Sequence, residues 1–163
     1  MEPALTEQER IPVGIEGAWL QPLQVIPANG GAVMHMLRHD YALMPSFPDG
    51  FGEIYFSEVM PGCVKAWKLH ERQKQLFAAP MGTLLIALCD NRVESPTFGK
   101  LETLHLGRPD NYSLLAIPPG VWYGFKALGQ TPALICNCAD IPHDPAEARR
   151  LPPNSERIPF SWA

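Results

Sequence analysis

Closely spaced turn residues divide this chain into short segments and so limit the folds it can adopt. Clusters rich in proline, glycine, asparagine and aspartate recur along it, at residues 27–31, 45–50, 61–62, 89–92, 109–111 and 118–120. These residue types favour turns, because they tolerate or preset the backbone angles that turns require. The segments between the clusters are apolar or alternate between apolar and polar residues. Short strands separated in this way, without helical periodicity between them, predict an antiparallel β sandwich or barrel.

The predicted strands span residues 52–59, 64–70, 76–80, 83–89, 101–106, 114–117 and 133–138. One short helix is predicted near the C-terminal end, where Asp144 is a candidate N-cap and Pro145 takes the first helical position. Glu147 completes a capping box. Pro152 and Pro153 would end this helix, since proline cannot continue it.

The composition favours a single folded domain. The chain has 163 residues, of which 46% are hydrophobic and 18% charged, which is enough apolar material for one core. We assign residues 14–163 to that domain and residues 1–13 to a flexible N-terminal arm. The formal charge of −4 argues against a nucleic-acid partner, because such partners bind basic surfaces.

Neither a membrane span nor a secretory signal is predicted. The longest apolar run, residues 84–89, is far shorter than the roughly 20 residues of a spanning helix. Residues 1–10 are acidic and lack the apolar region of a signal peptide. We therefore expect a cytoplasmic protein without a membrane partner.

Four cysteines stand at positions 63, 89, 136 and 138. Their spacing matches neither a disulfide framework nor the paired motif of a zinc site, so buried free thiols are expected. Cys136 and Cys138 would share one face of their strand, because residues two apart in a strand point the same way.

Two stretches resemble the motifs of the cupin family. Residues 62–82 place Lys68, His70 and Gln75 between glycines with the spacing of the first motif, and residues 117–125 resemble the second motif, whose last polar position is Tyr123. In metal-binding cupins these four positions are usually two histidines, a glutamate and a histidine. One imidazole beside an ammonium, an amide and a phenol makes a poor metal site, and we predict no metal and no other cofactor.

Alternation along the strand at residues 64–70 places Lys68 and His70 on one face, and we expect both to point into the barrel. The same alternation places Lys65 and Trp67 on the other face. We expect Trp67 to pack on the outer face of the sheet or at the contact of a dimer.

A more specific resemblance lies between the two motifs. Residues 90–100 read Asp-Asn-Arg-Val-Glu-Ser-Pro-Thr-Phe-Gly-Lys, Pro-Pro-Gly precedes a Gly-Phe pair at residues 118–125, and residues 158–162 read Ile-Pro-Phe-Ser-Trp. These stretches are similar to dTDP-4-dehydrorhamnose 3,5-epimerases. The resemblance implies an all-β cupin jelly roll, a homodimer and a dTDP-linked 4-keto sugar as substrate.

In that family a histidine removes protons next to the 4-keto group, and a tyrosine returns a proton from the opposite face. His70 matches the base, and imidazole suits the task because its ordinary pKa of about 6.5 lies near neutral pH. The position of the family's tyrosine falls on Cys136, and a histidine of the family is replaced by Tyr123. Both are candidate proton donors. The aspartate that pairs with the base maps near residues 154–156, where Glu156 is the candidate to orient His70.

Several polar residues are candidates for binding the substrate. Lys68 could stabilise the enolate or bind diphosphate, and Lys65 belongs to the same local basic patch. Gln73 and Gln75 lie in the first motif, where Gln75 replaces a lysine of the family. Arg92 in the Asp-x-Arg turn is either a substrate ligand or one half of a structural ion pair.

The leading interpretation is therefore a metal-independent epimerase or isomerase of a nucleotide-linked 4-keto-deoxysugar, with His70 as general base. One alternative is a sugar-nucleotide 3,4-ketoisomerase, which would exchange hydrogen at one carbon and move the carbonyl. Another is a non-catalytic cupin that binds sugar nucleotides, which the substituted catalytic positions favour. A third, a metal-dependent cupin oxygenase, would require metal in the purified protein.

Overall fold

The computed structural model describes residues 10–38, 47 and 49–163. Their strands are β1 (Ile11–Pro12), β2 (Trp19–Pro22), β3 (Val25–Ala28), β4 (Gly31–Met34), β5 (Glu53–Val59), β6 (Val64–His70), β7 (Gln75–Met81), β8 (Thr83–Asp90), β9 (Leu101–Gly107), β10 (Ser113–Ile117), β11 (Val121–Leu128), β12 (Ala133–Ala139) and β13 (Ala148–Arg150).

Two antiparallel sheets form the body of the molecule. One contains six strands in the order β1-β2-β10-β7-β12-β5, and the other contains five in the order β13-β6-β11-β8-β9. The β3–β4 hairpin is a separate two-stranded sheet. This architecture confirms the predicted all-β cupin fold.

The main core lies between the two sheets. Leu84, Ile86 and Leu88 of β8 meet Leu106 and Leu115 there, and none of these side chains reaches solvent. Each such leucine or isoleucine contributes about 1.5–3 kcal/mol of burial free energy. Because the outer face of β8 is covered as well, this strand is a continuous apolar run in the sequence and not an alternating one.

A second apolar layer covers the outer face of the five-stranded sheet. The C-terminal segment crosses this face and buries Ile158 and Trp162 against Trp67 and Trp122. The Nζ of Lys126 donates to the Trp162 carbonyl at 2.8 Å and fastens the end of the segment. The outward position of Trp67 confirms the prediction for that residue.

The strands predicted from the sequence are confirmed to within one or two residues at each end. The strands β1 to β4, β11 and β13 were not predicted. Of the predicted N-terminal arm, residues 1–9 lie outside the described residues, and Ile11–Pro12 pairs with β2. In the described part of the chain, no helix is long and apolar enough to span a membrane.

The predicted C-terminal helix is a single 3-10 turn, Pro145–Glu147. Asp144 caps it as expected, since its Oδ1 accepts from the backbone N–H of Ala146 at 2.9 Å. Glu147 does not complete a capping box. Its side chain turns into the protein, and the chain enters β13 directly after it.

Candidate active site

A cavity of about 460 Å³ lies between the two sheets. The residues that line it come from both sheets: Tyr55, Ser57, Phe77, Ile135 and Asn137 from the six-stranded sheet, and Val64, Lys65, Ala66, Trp67, Lys68, Tyr123, Phe125 and Arg150 from the five-stranded sheet. Alternation along β5 and β12 explains the first group, because every second side chain of a strand faces the same side. The lining combines apolar side chains, such as Phe77, Phe125 and Ile135, with polar and charged ones, as small-molecule sites commonly do.

A bulge in β6 brings Lys65 to this cavity. Tyr123 pairs with Lys68 and Phe125 pairs with Lys65, so two residue steps of β11 are matched by three of β6. The extra residue shifts the alternation, and the predicted opposite orientation of Lys65 and Lys68 is therefore wrong. Both lysines line the cavity, and the Nζ of Lys65 donates to the Ser57 hydroxyl at 3.0 Å.

His70 lies at the end of β6 and is only 4% exposed. Its Nδ1 is hydrogen-bonded to the carboxylate of Glu147. Its Nε2 lies 3.1 Å from the hydroxyl of Tyr123. Tyr123 lines the cavity and His70 does not, so Tyr123 lies between the ring of His70 and the cavity.

The carboxylate of Glu147 is held by three donors. Its second oxygen accepts from the backbone N–H groups of Arg72 at 3.1 Å and Gln73 at 3.2 Å. Burial raises the pKa of Glu147, but the hydrogen bonds from His70 and from the two N–H groups outweigh burial and hold this pKa below its ordinary value. Burial lowers the pKa of His70, and Glu147 only partly offsets that effect.

The stable state is therefore an ionised Glu147 beside a neutral imidazole. Nδ1 then carries the proton and donates it to Glu147, which leaves the lone pair of Nε2 facing Tyr123. Tyr123 donates its O–H to that lone pair. Burial holds the pKa of Tyr123 well above its ordinary value, so the phenol is protonated at neutral pH.

Glu147 was not recognised as the partner of His70 from the sequence. Glu156, the predicted partner, stands in the exposed C-terminal segment, and no bond of its side chain to His70 is present. The capping-box pattern around Asp144 and Pro145 hid the role of Glu147. Only the pairing of β13 with β6, which sets Ala148 opposite His70, brings the carboxylate to the ring.

Three hydrogen-bonded amide side chains lie next to the six-stranded sheet. Gln73 donates through Nε2 to the carbonyl of Ile141 at 2.7 Å, and its own carbonyl accepts from Gln75. Gln75 in turn accepts from Asn137, whose Nδ2 also donates to the hydroxyl of Tyr55 at 2.7 Å. Gln73 and Gln75 are each 1% exposed and do not line the cavity, so the structure does not support their prediction as direct substrate ligands.

Positive charge collects on the side of the cavity formed by β6 and β13. Arg150 lies opposite Lys68 in the register of β13 and β6. Arg150, Lys65 and Lys68 all line the cavity. Burial and the charge of Arg150 both lower the pKa of Lys68. Arg150 could not be recognised from the sequence, since β13 was not predicted.

Two predicted site residues lie elsewhere. Cys136 pairs with Phe56, which is 65% exposed, on the face of β12 that points away from the cavity. Its prediction as a proton donor does not agree with this geometry. Burial raises the pKa of its thiol. Cys138 shares that face, as predicted, and is buried.

Arg92 is part of a structural turn. Its Nε donates to Asp90 at 2.8 Å, and its NH2 donates to the carbonyl of Glu16 at 2.6 Å. The Asp90 carboxylate also accepts from the hydroxyls of Ser95 and Thr97, each at 2.6 Å. Burial opposes the ionisation of Asp90, but these donors hold its pKa far below the ordinary value. Of the two interpretations given for Arg92, the geometry supports the ion pair.

The cupin motifs predict a cluster of four side chains inside the barrel: Lys68, His70, Gln75 and Tyr123. Only two of them line the cavity. Lys68 and Tyr123 line the cavity, His70 bonds to Tyr123, and Gln75 stands one layer behind Asn137. No three His, Cys, Asp or Glu side chains among the described residues are grouped so that they could hold a metal ion.

Comparison with known proteins identifies one family. The model of the dTDP-4-dehydrorhamnose 3,5-epimerase family matches residues 12–163. A crystal structure of a dTDP sugar isomerase from Desulfovibrio desulfuricans is 56% identical, with a TM-score of 0.88, and the match covers 93% of this chain and 94% of that one.

Two curated proteins match at lower identity. The spore coat polysaccharide biosynthesis protein SpsL of Bacillus subtilis is 32% identical over 150 residues, which cover 91% of this chain and 96% of the relative. A probable low-salt glycan biosynthesis epimerase of Haloferax volcanii is 33% identical over 142 residues, which cover 86% of this chain and 85% of the relative.

Proposed function

The chain belongs to the dTDP-4-dehydrorhamnose 3,5-epimerase family, and on that premise we propose that it inverts a nucleotide-linked 4-keto-deoxysugar by proton transfer with His70 as the base. Membership makes it an enzyme of the sugar-nucleotide epimerase and isomerase class. The observation that carries the residue assignment is the hydrogen-bonded series Glu147–His70–Tyr123, which ends at the cavity.

The proton leaves the carbon next to the ketone, and the electron pair of that C–H bond moves to the carbonyl oxygen and forms an enolate. The oxygen of Tyr123 takes this proton while its own O–H proton passes to Nε2 of His70. The imidazolium that results is stabilised by the carboxylate of Glu147. General base catalysis of this kind contributes about 10²–10⁴-fold to the rate.

The enolate carries a negative charge that needs a positive partner. Lys68 lines the cavity and pairs with Tyr123 across β6 and β11, so its ammonium lies on the wall where the charge develops. Preorganised charges aimed at a developing oxyanion supply much of an enzyme's rate gain.

Lys65 and Arg150, both exposed at the cavity, suit the diphosphate of a sugar nucleotide. Arginine binds phosphate oxygens through two N–H groups at once, and lysine adds a point charge. We therefore assign the diphosphate to this edge of the cavity and the sugar to its interior. The name of the 56% identical relative favours a dTDP sugar as the substrate.

We also propose a homodimer in the cytoplasm. β5 is an edge strand of the six-stranded sheet and presents Ile54 and Phe56, which are 50% and 65% exposed. Met81 of β7 adds another apolar side chain that is 61% exposed. A long edge strand with exposed apolar groups invites pairing with another chain, and the four free cysteines fit a reducing compartment.

The test is incubation with a dTDP-4-keto-6-deoxyhexose in heavy water, followed by mass and proton spectra. The wild type is expected to introduce deuterium next to the ketone. His70→Gln, which retains an N–H donor for Glu147, is expected to lower the exchange rate by about 10²–10⁴-fold. His105→Ala is the matched control, because His105 is exposed on β9.

Exchange by His70→Gln at the wild-type rate would contradict the assignment of the base. Binding without any exchange by the wild type would instead make the chain a sugar-nucleotide binding protein. Deuterium at a single carbon together with a displaced carbonyl would identify a 3,4-ketoisomerase.

A further inference from the structure

Arg150 lies on the same face of its strand pair as the base. In the register of β13 and β6, Arg150 is opposite Lys68 and Ala148 is opposite His70. Residues two apart in a strand share a face, and directly opposed residues of an antiparallel pair do so as well. The guanidinium of Arg150 and the ammonium of Lys68 therefore lie next to each other on the side of His70, and both line the cavity.

Lys68 and Arg150 have no counter-charge at contact distance. Among the residues that the structure describes, neither side chain takes part in an ion pair or a side-chain hydrogen bond. The carboxylates that act on Lys68 are those of Glu147 and Glu53, and that of Glu147 is already bonded to His70. Two adjacent cations of the chain are therefore available to an anionic ligand.

The charge of Arg150 also reaches the base. The titratable side chains that act on His70 come from three elements around it: Glu147 from the turn before β13, Arg150 from β13, Tyr123 from β11 and Lys68 from its own strand. Burial is the first cause that lowers the pKa of His70, and the hydrogen bond to Glu147 opposes it. The charges of Lys68 and Arg150 add to the lowering. Both cations therefore oppose the uptake of a proton by His70.

We propose that the diphosphate of the sugar nucleotide binds to Arg150 and, by neutralising this charge, makes His70 a stronger base for the proton next to the ketone. The proposal rests on the function proposed above and extends it, because the diphosphate then acts on the rate of proton removal and not only on binding. It makes Arg150 a residue that determines specificity, since a keto sugar without a diphosphate would leave the charge of Arg150 in place.

The charges that line the cavity agree with this role. Lys65, Lys68 and Arg150 are the cationic side chains among the lining residues. The diphosphate diester of a sugar nucleotide is a dianion, and the enolate adds one more negative charge. The positive charges of the cavity therefore match the transition state of a substrate that has the diphosphate. Enzymes can use contacts with a non-reacting part of the substrate in this way, and truncated substrates then lose kcat and not only affinity.

A bound sugar nucleotide affects the pKa of His70 in two opposite ways. Removal of water lowers this pKa, because it disfavours the imidazolium, whereas an anion raises it. His70 is only 4% exposed before any ligand enters, so a filled cavity removes little further water from it and the effect of charge dominates. Because Arg150 is exposed, we expect its neutralisation to raise the His70 pKa by about half to one unit, which is roughly a three- to tenfold gain in proton affinity.

An NMR titration of the His70 imidazole tests the proposal, with dTDP-glucose as the ligand. This sugar nucleotide has the diphosphate but no ketone, and its diphosphate diester keeps its charge near neutral pH. The pKa of His70 is expected to be about half to one unit higher in the complex than in the free protein. The His70→Gln variant identifies the resonance among the five histidines. An equal or lower pKa in the complex, or failure of dTDP-glucose to bind, would overturn the proposal.

Arg150→Gln separates the charge of Arg150 from the rest of the site. In the free variant the pKa of His70 is expected to be about half to one unit above that of the wild type, and dTDP-glucose is expected to raise it little further. Arg150→Lys keeps the positive charge and is expected to behave like the wild type. Arg149→Gln is the matched control, because Arg149 is the next residue of the same strand and pairs with Glu71 on the surface. A merely structural role of Arg150 would not raise the pKa of His70, so an unchanged pKa in the free Arg150→Gln variant would also overturn the proposal.

Reaction rates distinguish failure of this inference from failure of the proposed function. The pH profile of kcat/KM reports the free enzyme and that of kcat reports the complex, so the acid limb of kcat is expected at the higher pH in the wild type. In Arg150→Gln the two limbs are expected to approach each other. If the wild type introduces no deuterium into a dTDP-4-keto-6-deoxyhexose, the proposed function is wrong. If it does so and its two acid limbs coincide, the proposed function stands and the inference about Arg150 is overturned.

Discussion

At the scale of single residues, the charge of Glu147 controls the proton affinity of His70. In the proposed mechanism His70 must be neutral to accept a proton, so kcat/KM is expected to rise as the pH rises through the His70 pKa, which burial holds below its ordinary value. Glu147→Gln removes a neighbouring negative charge, so this pKa falls further and the acid limb moves to lower pH. The plateau is expected to drop by about 10–100-fold, because the imidazolium loses a charged hydrogen-bond partner.

A pH profile of the exchange reaction measures both effects. Glu71→Gln is the control, since the exposed Glu71 carboxylate pairs with Arg149 on the surface. If the acid limb of the pH profile moved to higher pH in Glu147→Gln, the proposed effect of the Glu147 charge on His70 would be contradicted.

Some residues of the candidate site could be predicted from the sequence and others could not. His70 and Tyr123 are recognisable from cupin spacing, because that spacing fixes positions within two strands. Glu147 and Tyr55 are not, because their contacts join residues 77 and 82 positions apart. No local pattern in the chain encodes such a separation.

At the scale of elements, a glycine of β11, Gly124, lies where the register between β6 and β11 shifts. A Cβ at Gly124 would lie 2.5 Å from the Cβ of Ala66 and 2.8 Å from Cζ2 of Trp162. Gly124→Ala is therefore expected to lower the free energy of unfolding by about 1–3 kcal/mol through overpacking.

Urea unfolding followed by circular dichroism would measure this change. Gly31→Ala is a matched control, because a Cβ at Gly31 of β4 meets no atom within 4 Å. Equal stability of Gly124→Ala and the wild type would show that β6 and β11 are not tightly packed at this point.

The bulge also explains why alternation placed Lys65 on the wrong side. Alternation is a property of a regular strand, and one extra residue reverses it for every residue beyond. β11 and β13 were missed for other reasons. β11 is buried on both faces and does not alternate, whereas β13 is a short strand with two exposed arginines.

At the scale of the whole molecule, the C-terminal segment and the cavity lie on opposite faces of the five-stranded sheet. The ring centroid of Trp162 lies 5.1 Å from that of Trp67 and 4.7 Å from that of Phe160. Trp162→Ala is expected to lower the free energy of unfolding by about 3–5 kcal/mol, because it leaves a large void in this layer. The Trp162→Ala variant is expected to retain its exchange activity when it is assayed well below its melting temperature.

Thermal unfolding and the heavy-water assay together test this separation of stability from activity. Phe98→Ala is the control, since Phe98 is 54% exposed and surface changes of this kind usually shift stability by about 0.5 kcal/mol or less. Loss of exchange in a folded Trp162→Ala protein would contradict the independence of the two faces.

The sequence by itself determined the all-β class, most of the strands, the family and the position of His70, because turn chemistry, alternation and motif spacing are local properties. Only the tertiary structure decided that Glu147 bonds to His70, that Arg150 joins the lysines at the cavity and that Cys136 faces away from it. The physical reason is that strand register and sheet packing bring distant segments together. These contacts depend on how the whole chain folds around its core.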